Sequence, residues 1–132
     1  MSRKPRLIIS KQALAANYQR LSSYSGTAEC AASIKANAYG VGIEFAAPVL
    51  WEAGCRTFFV AYLDEAIALR RLLLDAVIYV FHGLTEQEFE IASASHIRPV
   101  INTLGEALNP ALTALKPALH VDTGMHRLGI PE

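Results

Sequence analysis

The run Thr57-Phe58-Phe59-Val60-Ala61-Tyr62-Leu63-Asp64-Glu65-Ala66-Ile67-Ala68-Leu69-Arg70-Arg71-Leu72-Leu73-Leu74-Asp75-Ala76-Val77-Ile78-Tyr79-Val80-Phe81 reads as one β-α-β unit. Thr57 to Ala61 and Val77 to Phe81 are short stretches rich in β-branched and aromatic residues, the composition of strands. Between them, Asp64 is placed to cap a helix that runs to about Leu74. Both strands are apolar nearly throughout rather than alternating. That is expected where both faces of a sheet are covered, as in parallel sheets with crossover helices.

The same unit repeats outward in both directions. Upstream, Arg6 to Ile9 offers a short strand, and Ser10 an N-cap. Leu14, Tyr18 and Leu21 then follow at helical spacing, closed by Ser22 to Gly26. Ala28 to Ile34 is an apolar strand that ends at Lys35. Ile43, Ala46, Ala47, Leu50 and Trp51 mark a helix that stops at Gly54. Pro48 lies within it, which suits a helix starting only shortly before and otherwise implies a kink. Downstream, Thr85-Glu86-Gln87-Glu88 and Thr103-Leu104-Gly105-Glu106 both match the capping box, the second opening a helix that ends near Lys116-Pro117. Arg98 to Ile101 and Ala118 to Val121 supply two more strands. The chain is thus read as about five βα units, with strands roughly 20 residues apart. Pattern alone does not separate a doubly wound sheet from part of a (β/α)8 barrel. The first βα turn lacks G-x-G-x-x-G, which weakens a dinucleotide-binding reading.

Composition narrows the class further. The chain has 132 residues, enough for one domain, and is 52% hydrophobic and 18% charged. Twelve Lys plus Arg balance twelve Asp plus Glu, so nucleic acid and anionic membrane surfaces are not expected partners. Met1 to Arg6 is basic, but only Leu7-Ile8-Ile9 follow as an apolar run, too short for a signal-peptide core or a membrane span. A cytoplasmic setting is expected. Cys30 and Cys55 have no metal-ligand spacing and read as buried, reduced thiols.

Two runs carry the chemistry. In Ser33-Ile34-Lys35-Ala36-Asn37-Ala38-Tyr39-Gly40, a lysine closes an apolar stretch and is followed by small residues, an aromatic hydroxyl and glycine. Lysine is rarely buried without a partner or a chemical task, and forming a Schiff base is such a task. The second run is Asp122-Thr123-Gly124-Met125-His126-Arg127-Leu128-Gly129, about 85 residues later. Both follow strands, so in a barrel both would stand at the C-terminal strand ends, where barrel enzymes place their chemistry. A solvated surface lysine at position 35 and a surface salt bridge at Arg127 are the structural alternatives. For Tyr39 the alternative is a packed loop aromatic.

Lys-Ala-Asn-Ala-Tyr-Gly and Asp-Thr-Gly-Met-His-Arg-Leu-Gly together resemble the two N-terminal signatures of alanine racemases. The resemblance implies a pyridoxal phosphate (PLP)-binding (β/α)8, TIM-type barrel, of which residues 1–132 would be the N-terminal part, with the family's C-terminal β domain absent. It implies interconversion of L-alanine and D-alanine, which supplies D-alanine for the cell wall, by a homodimer. Lys35 would bear PLP as a Schiff base and handle the proton on the D-face, Tyr39 would bond the cofactor phosphate, and Arg127 would lie near the substrate carboxylate. Asp122 would orient its turn, and Asn37 and Gly40 would shape theirs. His120 stands where many members have a lysine, sometimes carbamylated, and His126 fills a variable slot. A full barrel takes about 250 residues and eight strands. The remaining strands, the pyridine-nitrogen arginine and the L-face tyrosine of the second subunit therefore have no counterpart here. The chain is expected to be a truncated racemase, inactive alone. The alternatives are a small PLP-binding module and a non-functional racemase fragment.

Overall fold

The computed structural model describes residues 5–132, so the basic character read for Met1 to Lys4 lies outside the described residues. Helix α1 spans Lys11–Tyr24 and is followed by strand β1 (Ala32–Ser33), a five-residue helical turn α2 (Lys35–Tyr39) and helix α3 (Ile43–Glu52). Then come β2 (Thr57–Val60), α4 (Leu63–Leu72), β3 (Val77–Val80), a 3-10 turn at Glu86–Glu88 and α5 (Phe89–Ala94). The chain closes with β4 (Ile97–Ile101), α6 (Leu104–Ala107), α7 (Pro110–Thr113), β5 (Ala118–Leu119), β6 (Val121–Asp122) and β7 (Ile130–Pro131).

Five strands form one sheet in the order β1-β2-β3-β4-β5, every pair parallel. This order settles what the pattern left open. Right-handed crossovers between strands laid down in sequence put every connecting helix on the same face. A doubly wound sheet reverses direction and covers both faces. The sheet is therefore an arc of a (β/α) barrel. Its two end strands, β1 and β5, each pair on one side only. An apolar hollow of about 440 Å³, lined by Leu14, Tyr18, Leu21, Ile34, Val41 and Leu50 among others, opens beside the β1 edge.

The helix-covered face is the core. Phe58, Val60, Ile78, Val80, Ile97 and Pro99 are buried there together with Ala66, Leu69 and Ala92 from α4 and α5. The other face corrects the expectation of strands covered on both sides. Phe59, Tyr79 and Arg98 alternate with the core residues, fall side by side in register, and are only partly covered. Phe59 stacks on Tyr79 at 5.1 Å and on Phe81 at 5.0 Å. Arg98 donates to the Tyr79 hydroxyl at 3.2 Å. These large side chains suit a barrel interior, and the apolar character of the strands reflects that inner layer rather than a second layer of helices.

Several sequence expectations change in detail. Arg6 to Ile9 is not a strand: Leu7 is 80% and Ile8 78% exposed, and among the described residues no strand lies beside them. Ser10 does cap α1, its Oγ accepting from Ala13 N–H at 3.2 Å, but Leu21 faces outward at 63% exposure. The strand expected over Ala28 to Ile34 shrinks to Ala32–Ser33. Pro48 sits inside α3, where its missing N–H frees only the carbonyl of Glu44, an exposed residue that water can serve. The helix after Thr103 breaks in two because Asn109 starts a new cap, its Oδ1 accepting from Ala111 N–H with Pro110 at the first position. Ala118 to Val121 likewise splits between β5 and β6, and β6 pairs with β7 instead of extending the sheet. Asp64 does not cap α4. Tyr62 is the cap position, and Glu65 at N3 reaches back to the N–H groups of Ala61 (2.7 Å) and Tyr62 (3.3 Å). Cys55 is buried but Cys30 only half-buried, and neither is in a disulfide. Tyr18, which donates to the Cys30 carbonyl at 2.8 Å, is pushed up to about 12 by burial first and by Cys55 beside it. Among the described residues no helix is long and apolar enough to cross a membrane.

Candidate active site

Immediately after β1 the backbone turns the unusual way. Ala36, Asn37, Ala38 and Tyr39 have φ of 50, 53, 53 and 54°, and Gly40 follows at 85°. Turn α2 is thus a left-handed helical turn built from four consecutive non-glycine residues. Such a conformation costs roughly 1–2 kcal/mol per residue, so about 4–8 kcal/mol must be offset by surrounding contacts. The offsets are identifiable. Ala38 is buried and its N–H bonds the Ile34 carbonyl at 2.9 Å. Asn37, a residue that tolerates this region, accepts from Ile43 N–H through Oδ1 at 2.8 Å. The Ala36 N–H donates to Glu65 Oε1 at 2.6 Å. Tyr39 Oη lies 3.2 Å from Ser33 Oγ. Asn37 and Gly40 do shape the loop, but a reversed helical turn was not legible, because alanine and tyrosine give no signal for positive φ.

A cleft of about 550 Å³ opens on this side of the sheet, lined by Ser33, Lys35, Tyr39, Phe81, His82, His120, Met125, Arg127 and Leu128. Lys35, Tyr39 and Arg127 therefore share one cleft, although they come from opposite ends of the chain. Lys35 is half-buried, with Nζ 5.7 Å from the centroid of the Phe81 ring, while Tyr39 and Arg127 are exposed. Among the described residues neither Lys35 nor Arg127 is in an ion pair.

The second run is shaped by Asp122. Its Oδ1 accepts from Gly124 N–H and His126 N–H, both at 3.0 Å, and Oδ2 lies 3.2 Å from His126 Nδ1. These amides, that of His126 first, hold the carboxyl below its ordinary range. Gly129 is required at its position. It has φ of 104°, and a Cβ there would come within 3.0 Å of both the Asp122 nitrogen and the His120 ring.

His120 belongs to a polar relay that sequence reading missed. Buried Asn102 donates through Nδ2 to the carbonyls of Phe81 (2.9 Å) and Val100 (3.2 Å), which turns its Oδ1 toward His120 Nδ1 at 2.9 Å. With the amide so oriented, His120 Nδ1 is the donor, and in the neutral ring Nε2 carries the lone pair. The available signal was an asparagine between an apolar strand and a capping box, a place where a buried amide has backbone to satisfy.

The alanine racemase N-terminal domain family matches residues 9–132 of this chain. The chain belongs to that family. It is 50% identical to the alanine racemase of Methylobacterium nodulans over 131 residues, covering 95% of this chain and 35% of that protein. The crystal structure of alanine racemase from Bartonella henselae, which has covalently bound pyridoxal phosphate, superposes with a TM-score of 0.81 at 36% identity, covering 94% of this chain and 36% of that one. A histidine racemase from Leuconostoc mesenteroides subsp. sake superposes with a TM-score of 0.76 at 28% identity, covering 92% of this chain and 34% of that one. The chain thus spans about a third of the length of the relatives it matches. Alanine racemases are PLP-dependent, and the arc of βα units is the first part of their barrel.

Proposed function

We propose that the cleft between the two runs is the pyridoxal phosphate and amino-acid site of an alanine-racemising enzyme, with Lys35 as the cofactor lysine. The observation that carries this reading is that a half-buried lysine and an exposed arginine, neither paired with a carboxylate among the described residues, line one cleft at the C-terminal strand ends. A cleft lined by two cations and no carboxylate among the described residues suits anionic ligands. PLP and an amino acid bring two, a phosphate and a carboxylate.

The side chains present fit that pair. Lys35 would hold the cofactor through its amine, and the Tyr39 hydroxyl would donate to the phosphate. The Arg127 fork would take the substrate carboxylate in two parallel N–H bonds, fixing the plane of the amino acid. When bound, PLP supplies an electron sink for the charge left at the substrate α-carbon. Lys35, free and neutral beside that carbon, would move its proton on one face. The Phe81 ring would shield the amine from water on one side. Racemisation needs a second proton transfer on the opposite face, which we assign to the second subunit of a cytoplasmic homodimer. Residues 1–132 accordingly serve as the N-terminal part of the barrel domain, and alone they are expected to turn over slowly or not at all.

Titrating the chain with PLP tests this. A saturable long-wavelength absorbance should develop in the parent and in Lys11→Ala, and be absent in Lys35→Ala. Equal absorbance in Lys35→Ala would remove Lys35 from the role. A second reading, a PLP-holding module without turnover, is favoured by the exposure of Tyr39 and Arg127. Chiral analysis after incubation with PLP and L-alanine, with the chain joined to the remaining barrel and second domain of a relative, separates the two.

A further inference from the structure

Three glutamates sit at the N3 position of a helical turn and reach back to its start. Glu88 bonds Thr85 N–H and Oγ1 (2.7 and 2.9 Å), and Glu106 bonds the N–H groups of Asn102 and Thr103 (2.7 and 3.0 Å). Glu65 does the same at Ala61 and Tyr62 with one oxygen. Its other oxygen leaves the helix altogether and accepts from Ala36 N–H, 29 positions away, at 2.6 Å. Capping accounts for Oε2 and leaves Oε1 unexplained.

We infer that Glu65 is a positioning residue for Lys35. Ala36 directly follows Lys35, and its N–H is the first donor of the left-handed turn. A carboxylate bonded to amides from two loops fixes their separation, and such charge-assisted bonds are short and strong. One side chain on α4 therefore locks the start of the strained turn to the end of β2. With that lock, the direction in which Lys35 leaves β1 is set before any ligand arrives. Ala36, Ala38 and Tyr39 would otherwise favour the right-handed region, and the Lys35 backbone would rotate with them. The sequence could not show this, because the donor that Oε1 serves lies in another βα unit.

The inference rests on Lys35 being the reactive lysine, but its test is independent of PLP. Glu65→Gln keeps the size of the side chain while turning one acceptor oxygen into a donor, so it can serve one loop and not both. Glu88→Gln changes a comparable cap that bonds only its own turn, at Thr85. The readouts are amide hydrogen exchange at Ala36 and the rate of reductive methylation of Lys35 by formaldehyde and cyanoborohydride, with Lys116 as internal reference. Glu65→Gln should speed Ala36 exchange at least tenfold and Lys35 methylation at least threefold, with Glu88→Gln at parent levels in both. In the parent, the Ala36 amide resonance should also shift with the same pH midpoint as the Glu65 carboxyl carbon, which needs no variant to fold. Parent-like exchange and methylation in folded Glu65→Gln would overturn the inference. So would faster exchange with unchanged Lys35 methylation, which would reduce Glu65 to a cap, or an Ala36 resonance indifferent to Glu65. Failure of PLP to bind would remove the cofactor reading and leave these results as they stand.

Discussion

The two runs that line the cleft are built in opposite ways. Residues 33–40 are held largely from outside, by Glu65 on α4, by the Phe59 carbonyl, which accepts from Ile34 N–H at 2.9 Å, and by the Ile43 N–H, which donates to Asn37. Residues 122–129 are held mainly from within, by Asp122 folding its own loop and by the two-residue pair β6–β7. The first carries strain that its neighbours offset; the second is exposed from Thr123 to Arg127. The contrast matches the proposed roles. A residue that moves a proton must be aimed, whereas a guanidinium that grips a carboxylate can close on its ligand from a looser loop.

Gly129→Ala should break the second region most severely. Strain at φ of 104° and collision with Asp122 and His120 should cost the loop about 1–3 kcal/mol or more. Exchange of the Ile130 amide, which bonds the His120 carbonyl at 2.8 Å, should become fast while the β2–β3 ladder stays protected. Equal loosening of the ladder would show that the two regions are one cooperative unit.

Asn37→Ala should cost the first region about 1–2 kcal/mol through its lost bond to Ile43 N–H and its lost tolerance of positive φ. Asn37→Gly should cost less, because glycine takes φ of 53° freely. Urea midpoints of the two variants measure the difference. The reverse order would mean that the side-chain bond, not the backbone conformation, holds the turn.

The smallest effect is acidic. The Asp122 carboxyl is held below its ordinary range in the folded loop, so its contribution is present above the unfolded value near 3.9 and is lost as pH falls through the lower folded one. Exchange at Gly124 and His126 should rise at acid pH before the sheet opens, and Asp122→Asn should remove that acid step. An acid step at Gly124 and His126 that survives in Asp122→Asn would show that the second loop is not held from within.

How much of this was legible depends on whether the cause was local. Ser10 and Thr103 announced their caps, and Phe58, Val60, Ile78 and Val80 announced buried strands, because each signal lies within a few residues of its effect. The direction of the sheet was not legible. The left-handed turn was missed because alanine and tyrosine carry no signal for positive φ, and the Glu65 bridge and the Asn102–His120 relay because each joins residues of different βα units. Arg6 to Ile9 misled for the same reason: an apolar run becomes a strand only where another strand lies beside it. Lys35, Tyr39 and Arg127 were nameable from their motifs, while their meeting in one cleft required the topology.

The central claim is that Lys35 is the residue that bears the cofactor. Mixing the chain with PLP, reducing with borohydride, digesting and mapping the modified peptides tests it most directly. The account predicts a pyridoxyl group on Lys35 in the peptide containing Ala-Asn-Ala-Tyr-Gly, at far higher occupancy than on Lys11 or Lys116. Label spread evenly over the surface lysines, with none at position 35, would contradict it.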